Sequence, residues 1–427
     1  MRRITILIPS MRSPDQESSE IHQIKSILNE LKKKVDVYPI WVVFNADKIV
    51  KHEKETDEKI ILFNEYSDAI EILDEFNPDL ILTEVEFVSH SIVFTLGARF
   101  KKIPIVTYCF VEHFNVPFSI TLKSRLRIFR KGGSLINNET NGDGNLLEKI
   151  NLKKNFLKRT LQKIGYNKFR IWKFILFNYN TQLFSKTHGG ISLHKFSNGE
   201  LNLCSSELWK NELESAGFNE SKIFVVGNPY LNKILSDVNT HNSKYTKSTK
   251  NIRILFCASP MHEHGWLTKV EHKKIITHTI NRVLTNDNFE IALKIHPSSS
   301  SITEYQEILR SCQEHIKLYQ KENILEVLDH YDIMITYGSS MVMMYGVLLK
   351  KPILFLDLHS KIKSLNIFYD KTISTLCMNI DEIIPKIIET DSRKIENASY
   401  ENFIKKHFVV SNSSHNSAKK ILELLKC

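Results

Sequence analysis

NILEVLDHYDIMITYGSSMVMMYGVLLKKPILFLD, residues 323–357, is the stretch that decides the fold. Within it HYDIMITYGSS and KKPILFLD are short apolar runs, the first closing on a Gly/Ser turn, with a helical stretch between them. Strand, helix, strand in that order is the unit from which parallel α/β sheets are wound. Upstream, NIRILFCASP (251–260) and FEIALKIHP (289–297) repeat the buried strand that ends in a polar turn. The first half follows suit, with strands expected over 3–9, 35–44, 59–63, 80–83 and 103–109, then 190–193, 201–204 and 222–226. Between them 16–34 sets Ile21, Ile24, Ile27, Leu28 and Leu31 on one helical face, and 67–76 does the same with Ala69, Ile70, Ile72 and Leu73. The class is therefore α/β.

At 427 residues the chain exceeds a single core, and a boundary is expected at 237–251. That segment, DVNTHNSKYTKSTKN, holds only Val238 and Tyr245 as sizeable hydrophobes and buries little surface. Residues 1–236 then form one Rossmann-like domain, with a basic and aromatic helical insertion near 115–187, and 252–427 form a second. Apolar residues at 42% and charged residues at 25% exclude a disordered chain or a disulfide miniprotein. The six cysteines are scattered without a CxxC pair or zinc-type spacing, which reads as a reducing cytosol. MRRITILIPSM offers about five apolar residues before Pro9, short of a signal peptide and fitting a first strand. No uninterrupted apolar run reaches the length of a membrane span.

The formal charge of +10 favours phosphates, nucleotides, nucleic acid or an anionic bilayer without choosing among them. Much of it gathers between Lys149 and Gly199, where no Asp or Glu occurs and Lys153, Lys154, Lys158, Arg159, Lys168, Arg170 and Lys173 alternate with Phe156, Tyr166, Phe169 and Trp172. On a helix this pattern suits the headgroup region of an anionic leaflet, as does ITLKSRLRIFRK at 120–131. It also suits a solvated helix whose aromatics pack inward. Nucleic acid is not the expected partner, since no recognition module accompanies the charge.

Polar residues collect just after strand ends: Arg12, Glu84, Glu112, Asn228, His262, His296 and Ser339. Ligands of open parallel sheets bind outside the carboxyl ends of the strands, so two such domains would face one another across a cleft. KIHP, Lys294 to Pro297, and TYGSS, Thr336 to Ser340, form the best pair of motifs. His296 would donate to a phosphate oxygen, Pro297 fixes the turn, and Gly338, Ser339 and Ser340 offer amides and hydroxyls where a helix starts. A plainer role stays open, with a serine capping the helix and His296 bonded within its turn. Gly227, Asn228 and Pro229 end another strand, Gly227 allowing close approach and Pro229 opening a helix.

Residues 78–113, PDLILTEVEFVSHSIVFTLGARFKKIPIVTYCFVEH, with 202–235 and 323–357, resemble in order the corresponding parts of GT-B glycosyltransferases. The resemblance is nearest to non-hydrolysing UDP-N-acetylglucosamine 2-epimerases and to bacterial transferases with a His-Pro motif, which use CMP-sialic acid, CMP-Kdo or CDP-glycerol. Two departures weigh against the epimerases. Met341 to Tyr345 stand where they place ribose-binding carboxylates, and SPMHEHGW (259–266) replaces their His-Arg-Glu segment. The resemblance implies a GT-B arrangement whose last helix, 415–425, crosses back to the first domain. It implies a metal-independent, inverting transfer of a sugar or sugar acid from a CMP-, CDP- or UDP-linked donor, CMP favoured. The acceptor would be a surface glycan or lipid-linked, at the cytosolic membrane face, and no cofactor is needed.

His296, Ser339 and Ser340 would then hold the donor phosphate, with Lys294, Pro297, Gly338, Gly227, Asn228, Pro229, His262 and Arg12 around the donor. Inverting transfer needs a base for the acceptor hydroxyl. Glu112 is the first candidate, Glu84, Glu86 and His113 are reserves, and His264 with His262 and Glu263 supplies further donor-site or acid groups. An acceptor-free epimerase and a non-catalytic glycan- or membrane-binding member of the same fold remain the alternatives. No Asp-x-Asp, GxGxxG or GxxxxGK[ST] stands at a strand end, so metal, NAD and ATP chemistry are not expected.

Overall fold

Two all-parallel sheets, each wrapped by helices, account for the apolar runs in the computed structural model. It describes residues 3–16, 18–44, 57–85, 89–110, 114–115, 146–175, 190–191, 198–242, 245–246, 250–260, 267–296, 302–312, 315–337, 340–358, 369–407 and 412–426. The chain divides into two compact units, 1–185 with 191–232 and 406–427, and 186–190 with 233–405.

In the first unit the elements run β1 (Arg3–Ser10), α1 (Ser19–Lys32), β2 (Asp36–Val43), β3 (Lys59–Leu62), α2 (Ala69–Phe76), β4 (Leu80–Glu84), α3 (Ser89–Lys101) and β5 (Ile105–Cys109). After them come α4 (Leu146–Lys163), α5 (Lys168–Phe174), β6 (Leu201–Cys204), α6 (Glu207–Ser215), β7 (Ile223–Val225) and α7 (Pro229–Thr240). The seven strands lie in the order β3-β2-β1-β4-β5-β6-β7. Covered on both faces, such strands read as continuous apolar runs, as IVTYC of β5 does with every residue buried. The Ser18 hydroxyl caps α1 by accepting from the Ile21 amide, and Ile21, Ile24, Ile27, Leu28 and Leu31 turn to the sheet.

The second unit runs β8 (Ile252–Ala258), α8 (Lys269–Val283), β9 (Phe289–Ile295), α9 (Ile302–Arg310), β10 (Leu318–Tyr319), α10 (Ile324–Leu328), β11 (Ile333–Thr336), α11 (Ser340–Leu348), β12 (Ile353–Leu356), β13 (Ser374–Cys377), α12 (Ile383–Ser392) and α13 (Asn397–His407). Its six strands lie in the order β10-β9-β8-β11-β12-β13. The last helix, α14 (Ser413–Leu425), belongs to the first unit, where Ala418 and Ile421 are buried in the same apolar cluster as the inner face of α1.

The division between units falls at 232/233, inside α7 and ahead of the boundary expected at 237–251. Leu231 and Ile234 are buried and carry the helical period on to Thr240. Beyond it His241 Nε2 lies 2.9 Å from Asp329 Oδ2, and the Tyr245 hydroxyl donates to Asp332 Oδ1 at 3.1 Å. These polar contacts hold His241 and Tyr245 to the second unit, and a count of hydrophobes does not see them. Both sheets reverse direction beside their first strand, between β1 and β4 and between β8 and β11. Such switch points open a crevice at the carboxyl ends of the strands, where ligands bind in wound sheets.

Candidate functional site

At the β1/β4 switch point, charged groups meet. The Ser10 hydroxyl at the end of β1 donates to Glu20 Oε1 at 3.1 Å, and the Arg12 amide donates back to Ser10 Oγ at 3.0 Å. Glu84 ends β4 with its side chain 13% exposed, and His90 Nε2, from the first turn of α3, lies 3.7 Å from its Oε2. His90 is buried, its ring 5.6 Å from that of Phe44. Burial, and then the Glu84 charge, push the Glu20 carboxyl up from its ordinary 4.5 to about 7. His90, the Ser10 hydrogen bond and Arg12 pull the other way without cancelling the rise.

A carboxyl held near neutrality beside a second carboxylate can take up and release a proton at physiological pH. The exposed guanidinium of Arg12 adds a fixed positive charge for an anionic group. Glu20 and His90 were not candidates in the sequence. Glu20 reads there as a helix-start acid complementing the dipole, and His90 as one polar residue in an apolar helix. The signal that exposes them is the adjacency of β1 and β4, which lie about 70 residues apart in the chain.

Asn228 supports this end of the sheet from within. Its Nδ2 donates to the Phe110 carbonyl at 2.9 Å, while its Oδ1 accepts from Gln23 Nε2 at 3.0 Å and from the Tyr230 amide at 2.9 Å. The side chain is 4% exposed and joins the turn after β7 to α1 and to the end of β5. Gly227 adopts φ +87, a conformation that favours glycine, and Pro229 is the first residue of α7.

In the second unit the described residues at the β8/β11 switch point bring hydroxyls around an imidazole. Ser259 follows β8, and Tyr337 follows β11. The Tyr337 hydroxyl lies 3.2 Å from His272 Nδ1, and His272 Nε2 lies 3.0 Å from the Tyr305 hydroxyl, so one buried imidazole of α8 links two phenols. Ser259 Oγ and Thr336 Oγ1 are buried with no hydrogen-bond partner among the described residues. Orphaned hydroxyls at the carboxyl ends of two neighbouring strands are the polar groups a ligand would satisfy.

The amino ends of the same strands show a contrasting cluster. Arg253 makes charge-assisted hydrogen bonds to Asp332, and Lys351 Nζ donates to the Tyr331 carbonyl at 3.0 Å while sitting 3.4 Å from the Tyr245 ring centre. Burial lowers the Lys351 ammonium to about 8. These groups pair with one another and hold Tyr245 against the sheet, at the end where wound α/β folds do not bind ligands.

Of the expected site residues, His296 is exposed directly after β9, and Ser340 is the first residue of α11, which follows β11. Strand β8 lies between those two strands. Lys294 is buried, its Nζ donating to the carbonyls of Gln320 at 2.5 Å and Ile295 at 3.4 Å, and burial lowers its pKa. Arg12, Gly227, Asn228 and Pro229 stand in the first unit as above. Glu112, His264, His262, Pro297, Gly338 and Ser339 lie outside the described residues, as do Glu86, His113 and Glu263. Among the described residues no group of three or more His, Cys, Asp or Glu is placed to hold a metal ion, and no helix is long and apolar enough to cross a membrane.

No family model and no curated protein matches the sequence. Solved structures do match along the whole chain. A Staphylococcus aureus MnaA–UDP co-structure is 12% identical with a TM-score of 0.51, spanning 100% of this chain and 96% of that one. A Methanocaldococcus jannaschii UDP-GlcNAc 2-epimerase in complex with UDP-GlcNAc and UDP is 16% identical with a TM-score of 0.51, spanning 100% and 99%. The spinosyn forosaminyltransferase SpnP is 11% identical with a TM-score of 0.51, spanning 100% of both chains. The chain thus has the two-unit α/β fold of GT-B type that these enzymes share.

Proposed function

We propose that this protein is a glycosyltransferase moving a sugar or sugar acid from a nucleotide-activated donor, CMP-linked by preference, to a surface-glycan or lipid-linked acceptor at the cytosolic membrane face. One arrangement carries the reading: Glu20, accepting from the Ser10 hydroxyl at 3.1 Å, and Glu84, 3.7 Å from His90, gather at the carboxyl ends of adjacent β1 and β4, where burial and then the Glu84 charge push the Glu20 carboxyl up to about 7. An inverting transfer requires such a proton acceptor for the incoming hydroxyl. Glu84, at the strand end, takes the proton, with Glu20 sharing it. Glu112 is the competing base. In the second unit His296, Ser339 and Ser340 neutralise the departing phosphate, and Ser259 and Thr336 supply further hydroxyls to the nucleotide.

A thermal-shift screen with CMP, CDP, UDP and GDP tests the donor, because a ligand that binds only the folded state raises its melting temperature. CMP or CDP is expected to give the largest rise, and His296→Ala to lose it. A His296→Ala protein with unchanged nucleotide affinity and transfer removes the phosphate role.

An epimerase acting on a nucleotide sugar without an acceptor is the second reading. The two-carboxylate arrangement with Arg12 favours it as well, since deprotonation at carbon needs the same base, and the MnaA and M. jannaschii structures carry UDP. A response to UDP alone, with acceptor-free turnover of UDP-GlcNAc, would select it.

A further inference from the structure

We infer that the outer side of the α4–α5 helical hairpin is a docking surface for an anionic lipid bilayer. On α5, Phe169 and Trp172 are 68% and 57% exposed, one helical turn apart. Between and beside them Ile171 and Phe174 are buried in the core of the first unit together with Phe156, Leu157 and Leu161 of α4. Thr160 Oγ1 of α4 accepts from the Ala69 amide at 3.0 Å, fixing the hairpin to α2. The two exposed rings therefore stand on a rigid support whose apolar interior is already filled.

Charge selects the partner. Lys168, Arg170 and Lys173 surround the aromatic pair, all exposed. Lys154, Lys158, Arg159 and Lys163 are exposed along α4, and residues 149–199 contain no acidic residue. Cations flanking protruding aromatics match a leaflet in which anionic headgroups overlie the acyl boundary. A nucleobase platform fits less well. Phe169 and Trp172 stack on each other, with centroids 6.0 Å apart and planes at 26°, so each ring already spends one face on its neighbour. Their edges remain for insertion between headgroups, which is how amphipathic aromatic groups sit at an interface.

The inference deepens the reading of an acceptor at the membrane face, and rests on it only for its purpose. Its test needs no turnover. The full chain is sedimented with phosphatidylcholine vesicles and with vesicles containing roughly 30% phosphatidylserine, at low and high salt. Binding is expected only to the anionic vesicles and to be lost at high salt. Phe169→Ser/Trp172→Ser should weaken it about tenfold, and Lys168→Glu/Arg170→Glu/Lys173→Glu about a hundredfold or more. Both variants should keep the wild-type melting temperature and the turnover of a soluble acceptor, since every altered side chain is exposed. The inference is overturned if the wild type stays in the supernatant, if removing the aromatic pair leaves vesicle binding unchanged, or if single-stranded RNA binds more tightly than the vesicles and is lost in the same variants. Vesicle binding without transferase activity would refute the proposed reaction and leave this surface standing.

Discussion

The two switch points share a topology and differ in chemistry. Beside β1 and β4 stand the carboxyls of Glu20 and Glu84, the His90 imidazole and the Arg12 guanidinium. Beside β8 and β11 stand Ser259, Thr336, Tyr337, His272 and Tyr305, hydroxyls around one buried imidazole. Among the described residues, one strand order thus gathers two carboxyls, an imidazole and a guanidinium on the first unit, and hydroxyls around an imidazole on the second. A shared strand order leaves the chemistry of each crevice to the side chains that line it.

The comparison breaks most directly at Glu84. If the first unit moves the proton, Glu84→Gln lowers kcat by about a hundredfold or more while nucleotide affinity stays put. A fall in affinity with kcat unchanged would assign both switch points to the donor. An unchanged kcat, set against a large loss in Glu112→Gln, would move the base to Glu112.

Stability measures the same asymmetry without any substrate. Glu20 ionises near 4.5 in the unfolded chain and at about 7 in the folded one, so between those values the folded state holds a proton that the unfolded state has released. Stability from this group is complete below 4.5 and is lost as the pH rises to about 7. Denaturant unfolding from pH 4.5 to 8 should show that decline in the wild type, and Glu20→Gln should remove it, a difference of about 3 kcal/mol. An unchanged pH slope in Glu20→Gln would mean that the carboxyl titrates normally.

How much of this could be read from the residues alone follows from the distances involved. Buried parallel strands write their whole burial into local sequence, so LILTE of β4 and IVTYC of β5 were legible as strands. The 16–34 helix lost a few residues at each end, where capping by Ser18 and fraying set the limits. The candidate site was legible as a set of strand ends, but not as a set of partners. Glu20 feels the charge of Glu84, 64 positions away, and His272 lies between Tyr305 and Tyr337. Neither pairing leaves a trace in spacing, because the chain order of the strands is not their order in the sheet.

A smaller test sits on the second unit. Ser259 Oγ is buried and unpartnered among the described residues, so in a purely structural role Ser259→Ala should leave nucleotide binding alone and hold or raise stability. As a nucleotide contact it should instead cost about tenfold in affinity, a single hydrogen bond's worth, with the melting temperature of the free protein unaltered or higher. Titration calorimetry on Ser259→Ala and Thr336→Val separates the two, and unchanged affinity in both would leave His296 and the Gly/Ser turn as the only donor contacts proposed for that unit.

The smallest effect expected is also the most specific to the comparison. Tyr337 sits directly after β11 and its hydroxyl reaches His272 Nδ1, whose other nitrogen is engaged by Tyr305. Removing the hydroxyl in Tyr337→Phe leaves one buried ring nitrogen without that partner, a cost of about 1 kcal/mol. The described hydrogen-bond partners of the imidazole are these two phenols, which fits a positioning role. Tyr337→Phe should therefore lower the melting temperature and weaken nucleotide binding a few-fold, while the pH dependence of kcat keeps the shape set by the first unit. A shifted pH profile in Tyr337→Phe would show that the imidazole trades protons with the reaction, and the division of labour between the two switch points would no longer hold.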